Sequence, residues 1–185
     1  MIVVVRHGRT EANALGLLLG RANPALDDEG RRQADCIAGG LGALDIARVV
    51  SSPLQRCRAT ADAVVKSLAA APDAAGPIEV EVDDRWVELD YGVLDGRPLA
   101  EVGADQWAAW RSDVTWAPEG GESLAALGER VRDGCEALAK EAAERDVVVV
   151  SHVSPIKAAV AWALRRQKEE QMGRYPTLGV QRQRY

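Results

Sequence analysis

The chain has two histidines, His7 and His152, and each follows a run of β-branched residues: Val3-Val4-Val5-Arg6-His7 and Val148-Val149-Val150-Ser151-His152. Imidazole has an ordinary pKa near neutrality, so it can serve as nucleophile, proton carrier or metal ligand. Short valine runs read as buried strands of a parallel sheet, and ligands of such sheets bind beyond the carboxyl ends of the strands. Both histidines are therefore expected at one sheet edge, within reach of each other despite their separation in sequence. Three readings are open at this point: two satisfied core histidines, a metal pair, or a site for an anion.

The neighbouring charges separate these readings. A metal would want further histidine or carboxylate ligands, and none recurs at ligand spacing. Arg6 directly precedes His7, and Arg56 follows the strand-like Val49-Val50-Ser51-Ser52, hence at the same sheet edge. Guanidinium groups repel a metal cation but bind phosphate through paired hydrogen bonds. Gly8 would let the backbone approach an anion, and Thr10 and Asn13 can donate to one. A phosphate pocket with no metal and no cofactor is the expectation.

The elements that must hold these residues alternate along the chain. Ile2 to Val5, Ala47 to Ser52 and Val147 to Val150 read as buried strands, and Glu79 to Val82 as an edge strand. Asp27 to Leu41 reads as a helix with Asp27 as N-cap. Pro53 is expected to open a second helix through Leu68, because proline suits the first helical turn. Ser123 to Glu144 and a segment from Pro155 read as two more. The stretch from Asp83 to Gly121, which holds four of the five tryptophans, shows little periodicity and is expected to be irregular. Past Arg165 the pattern allows a helix end, a loop and a short strand over Gly179 to Tyr185. Strands alternating with helices imply an α/β fold with a mostly parallel sheet between helical layers.

Composition excludes other classes. At 185 residues and 47% hydrophobic, residues 1–185 suit one domain that can bury a core without disulfides. Cys36, Cys57 and Cys135 lie far apart with no paired spacing, against a zinc site or a disulfide framework. Net charge is −5, so no global basic field points to nucleic acid. No apolar run approaches the ~18 residues needed to span a bilayer, and the N-terminal stretch lacks the parts of a signal peptide. A reducing, cytoplasmic location without membrane attachment is expected.

Arg6-His7-Gly8-Arg9-Thr10, with Asn13 after it, resembles the signature of the histidine phosphatase superfamily, the phosphoglycerate mutase-like enzymes. The likeness continues through Pro24 to Ala34, Ser51-Ser52-Pro53-Leu54-Gln55-Arg56-Cys57, Glu88-Leu89-Asp90-Tyr91-Gly92 with Asp95-Gly96, Gly120-Gly121-Glu122-Ser123 and Val150-Ser151-His152, and so covers residues 1–164. The resemblance implies a three-layer α/β/α sandwich with a mostly parallel central sheet. It implies His7 as nucleophile, Arg6, Arg56 and His152 as holders of the phosphoryl group, and Asn13 as a helper; Thr10 stays a phosphate-binding candidate on its own donor chemistry. Glu88 would be the proton donor, with Asp90 and Asp95 as local competitors. The family commonly has glycine after the second histidine, with its amide near phosphate; here Val153, Ser154 and Pro155 follow, and the Val153 amide is retained.

The activity implied is hydrolysis of a small phosphorylated metabolite by a monomer or homodimer, in the small phosphatase branch. A phosphoglycerate mutase-type phosphotransferase and a non-catalytic phospholigand-binding protein are the alternatives. Mutases usually carry inserted segments for which this chain has little room. Arg9, Arg21, Trp110, Arg111 and Glu122, together with Trp107 and Trp116, are the candidates for substrate specificity.

Overall fold

A computed structural model describes residues 1–71 and 76–174, with side chains through Lys168. Four strands form one parallel sheet: β1 (Ile2–Arg6), β2 (Ile46–Ser51), β3 (Val80–Val82) and β4 (Asp146–Ser151), in the order β1-β4-β2-β3. The described residues also form six helices: α1 (Glu11–Ala14), α2 (Asp28–Gly40), α3 (Gln55–Ala69), α4 (Ala104–Ser112), α5 (Leu124–Ala139) and α6 (Val153–Arg174).

The pleat sends successive valines of β2 and β4 to opposite sides. Val50, Val147 and Val149 join Leu127, Val131, Cys135, Leu138 and Ala159 in the core beneath α5 and α6. Val49, Val148 and Val150 join Ala38, Cys57, Ala61 and Val64 in the core beneath α2 and α3. These six valines are fully buried, each worth about 1.5–3 kcal/mol. The result is the expected three-layer α/β/α sandwich.

Several boundaries and one burial expectation differ from the sequence reading. β1 is only half-buried, because among the described residues it pairs with β4 alone and forms a sheet edge. Pro53 lies outside α3, whose N-cap is the extended Leu54. The stretch after Asp83 is more ordered than its pattern suggests. It contains three 3-10 turns and α4, whose Trp107 and Trp110 pack into the core under α5 and α6. α6 begins at Val153, two residues before Pro155, and runs through Arg174, so the helix does not end near Arg165. The strand expected over Gly179 to Tyr185 lies outside the described residues. Asp27 does cap α2, its Oδ1 accepting from the Gly30 amide at 2.6 Å. Among the described residues no helix is long and apolar enough to cross a membrane.

Candidate active site

Strand register brings the two histidines together. Arg6 pairs with Ser151 across β1 and β4, so the next residue of each strand leaves the sheet at the same level. The His7 amide donates to the Ser151 carbonyl at 3.1 Å, and the rings meet edge to face with centroids 5.1 Å apart. β2 ends beside them, its Ser52 amide bonded to the Val150 carbonyl at 3.0 Å. That places Arg56, in the first turn of α3, at the same edge.

Both imidazoles are buried. Burial is the main force holding His7 down, to about 4. The Gly8 carbonyl opposes it, and the Arg56 and Arg6 charges add to it. The Gly8 carbonyl lies 2.6 Å from His7 Nδ1, and a carbonyl only accepts. The proton of neutral His7 is therefore on Nδ1, and Nε2 carries the lone pair. His152 is driven further down, by burial first and then by Arg56, His7, Arg130 and Arg6. Its Nε2 lies 2.7 Å from Ser52 Oγ, and Cys57 Sγ stands 3.3 Å from the same nitrogen.

Arg56 is fully buried and held by the loop after α1: Nη1 donates to the Ala22 carbonyl at 2.7 Å and Nη2 to that of Gly20 at 2.9 Å. Its Nε–H has no partner among the described residues. The loop is fixed in turn by Asp95, whose two oxygens accept from the Gly20 and Ala22 amides, each at 2.8 Å. Asp95 is thus a brace for the arginine. Asp90, the other competitor for the acid role, accepts from the Gly92 amide at 2.9 Å and is partly exposed.

Glu88 is the buried carboxylate of this segment. Its Oε1 accepts from the Leu89 amide at 2.7 Å and the Ser154 amide at 3.3 Å. Burial raises its pKa; these bonds, the Ser154 side chain and the Arg56 charge pull the other way without cancelling the rise.

Other candidates sit in different company from that expected. Thr10 is fully buried, and its hydroxyl bonds Asn13 in a capping box at the start of α1. Asn13 accepts there through Oδ1, which leaves its amide NH2 as the free donor of the pair. Gly8 serves a close approach between backbones: a Cβ at residue 8 would collide with the Gly30 carbonyl, and one at residue 30 with that of Arg9. Arg9 is bound to Asp27 at 2.8 Å. Arg6 is exposed, and its side chain has no hydrogen bond or ion pair among the described residues.

Glu122 is held by Arg130, Nε to Oε1 at 2.7 Å and Nη2 to Oε2 at 2.8 Å. Burial would raise Glu122, but Arg130 and then Arg21 hold it below the usual carboxylate range. Arg21 meets Glu122 at 3.4 Å and Asp90 at 3.9 Å. Trp110 is buried in an aromatic stack with Tyr91, Trp107 and Trp116. Trp110 and Arg111 line a cavity of about 730 Å³ between α4, α5 and α6, together with Leu89, Tyr91, Ser154 and Trp162. None of His7, Arg6, Arg56 or His152 lines it.

Arg130 is the residue sequence reasoning missed. Besides Glu122 it donates to the carbonyls of Arg85 at 2.7 Å, Val87 at 2.8 Å and Glu88 at 3.3 Å. One guanidinium thereby clamps the backbone on which Glu88 is mounted.

One edge of the parallel sheet of this α/β fold thus gathers two buried histidines, a buried arginine and a buried carboxylate. Residues 2–180 match the histidine phosphatase superfamily (branch 1), and the chain belongs to that family. It is 38% identical over 167 residues to a bifunctional protein of Mycobacterium tuberculosis, which covers 88% of this chain and 44% of the relative. The chain thus spans less than half the length of that relative. Phosphoserine phosphatase 1 of Hydrogenobacter thermophilus is 32% identical over 163 residues, 85% of this chain and 72% of the relative. Among solved structures, a mycobacterial glucosyl-3-phosphoglycerate phosphatase complexed with VO3 superposes with a TM-score of 0.77 at 32% identity, covering 89% of this chain and 80% of the other.

Proposed function

We propose that the protein hydrolyses a small-molecule phosphomonoester through a phosphohistidine on His7, without a metal ion. The observation that carries this reading is the tautomer of His7: its Nδ1–H is fixed on the Gly8 carbonyl, so Nε2 presents a lone pair beside Arg6, Arg56 and His152. Nε2 attacks phosphorus, the ester P–O bond breaks, and the leaving oxygen takes the proton of Glu88. The Gly8 carbonyl then faces the positive ring of the intermediate. Water next attacks the phosphohistidine and gives its proton to the Glu88 carboxylate, and the P–N bond breaks to return neutral His7.

Arg6, the unpartnered Nε–H of Arg56 and His152 carry the charge of the transferring oxygens in place of a divalent cation. The Val153 amide, at the open N-terminus of α6, and the Asn13 NH2 complete the donors. Phosphatases among the relatives, and a structural relative solved with VO3, support phosphate ester chemistry at this edge.

The test is hydrolysis of an aryl phosphate in excess chelator. His7→Ala is expected to abolish it, and Glu88→Gln to lower kcat about 10²–10⁴-fold. Rapid quench with labelled substrate is expected to trap an acid-labile phosphoprotein in the wild type. Chelator-sensitive turnover, or a fully active His7→Ala protein, would sink the proposal. Isomerisation of phosphoglycerates without phosphate release would favour the mutase reading.

A further inference from the structure

Glu88 has a neighbour that the assigned machinery does not use. Ser154, the second residue of α6, gives its amide to Glu88 Oε1 at 3.3 Å, and its Oγ lies 3.3 Å from Tyr91 Oη. Tyr91 belongs to the same segment as Glu88, three residues on, and its ring is held edge-on against Trp110 with centroids 5.7 Å apart. Ser154 thus links the acid, the helix that follows His152 and the aromatic stack. The direction of its bonds follows from chemistry. Burial pushes the Tyr91 phenol up to about 12, so it keeps its proton at any working pH. An ionised Glu88 can only accept, and the Ser154 hydroxyl beside it has one proton to give; given to the carboxylate, it leaves Oγ as the acceptor for the Tyr91 phenol.

We propose that Ser154 and Tyr91 act together as positioning residues for Glu88, the serine hydroxyl donating to the carboxylate and the tyrosine holding that hydroxyl in place. The proposal rests on the reading of Glu88 as general acid and base. That role needs the proton held in one half-reaction and released in the other. Burial favours the protonated form, and a donor to the carboxylate favours the ionised form. The serine therefore sets how easily Glu88 releases its proton to the leaving group.

Other groups around Glu88 do not replace this pair. Arg56 on α3 acts on it through space, and the Cys57 thiol beside it is neutral, pushed up to about 12 by burial. Arg130 from α5 reaches the Glu88 backbone carbonyl, not its carboxylate. His7 and His152 are neutral above the acid range.

Ser154→Ala keeps the amide and removes the hydroxyl. Loss of a donor to the charged form raises the Glu88 pKa, by about one unit for a bond of ordinary strength. The alkaline limb of kcat/KM is expected to move up by that amount. Tyr91→Phe is expected to move it the same way by less, and the double variant no further than Ser154→Ala alone. Ser154→Gly serves as a second variant if the alanine protein folds poorly.

The same shifts are expected in the 13C carboxyl titration of Glu88 in the resting protein, its resonance assigned by its absence in Glu88→Gln. That readout needs no turnover. Unmoved titrations in the serine and tyrosine variants, or shifts that simply add, overturn the positioning pair. Wild-type activity in Glu88→Gln would instead overturn the catalytic reading and leave the titration to judge the pair.

Discussion

A neutral His7 makes the fold sensitive to acid in a defined window. Its folded pKa is about 4 against an ordinary 6.5. Between these values the unfolded chain binds a proton that the folded chain refuses, so stability falls as pH falls. The contribution is fully present above 6.5, drains as pH drops toward 4 and changes little below. Integrated from pH 7.5 to pH 5, the difference is about 2 kcal/mol. His7 is buried, so solvent screening takes little from this figure. The assay is urea unfolding at both pH values for the wild type and His7→Gln, which cannot titrate. Carboxylates and other groups contribute to both proteins, so the difference between the two pH-dependent losses isolates His7. The wild type is expected to lose about 2 kcal/mol more than the variant. Equal losses would refute the assignment of His7 as a buried neutral base, and with it the tautomer on which the proposed attack depends.

Arg130→Met removes the paired bonds to Glu122 and the donor to three carbonyls of the acid segment; a loss of about 3–5 kcal/mol in chemical denaturation is expected, with kcat falling because Glu88 is no longer held. Gly30→Ala forces a Cβ onto the Arg9 carbonyl, and a thermal melt should show a loss of about 1–3 kcal/mol from overpacking. Trp110→Ala opens the aromatic stack at a buried position and should cost about 3–5 kcal/mol by the same measurement. Arg9→Ala breaks a partly exposed ion pair with Asp27, so denaturation should move by less than about 1 kcal/mol.

What the sequence made legible was local. Valine runs beside His7 and His152 identify strands because buried parallel strands need apolar residues on both faces, and a shared register then follows from a parallel sheet. Asp27 before a helical pattern is a cap wherever that helix goes. The missed features are those whose partners arrive only on folding. α4 has no apolar stripe of its own kind: Trp107 and Trp110 make it a helix by packing on Tyr91, Trp116 and the core, and tertiary contact overrides weak local preference. Arg130 reads as one more polar residue of α5, yet its bonds reach Glu122 and the carbonyls of residues 85, 87 and 88. Gly8 is ambiguous in sequence, since an anion and a neighbouring backbone require the same missing side chain.

Burial is the property that ties the site together, and it acts with opposite value on its members. Taking a group from water penalises its charged form. For His7 that keeps the lone pair free, and for Glu88 it favours the protonated form; these are the directions the proposed first half-reaction needs. For Arg56 the same desolvation works against the guanidinium charge. Arg56 nevertheless stays charged, because a guanidinium does not lose its proton in proteins, and the Gly20 and Ala22 carbonyls offset part of the cost. Those two bonds leave the buried Nε–H without a partner among the described residues, an expense a fold seldom tolerates without a ligand to answer it. Asp95 fixes the loop that supplies both carbonyls and sits close enough to stabilise the Arg56 charge. Its replacement by asparagine should therefore weaken inhibition by inorganic phosphate and vanadate and raise KM more than it lowers kcat. An unchanged KM and unchanged oxyanion inhibition in Asp95→Asn would separate the loop from the anion site.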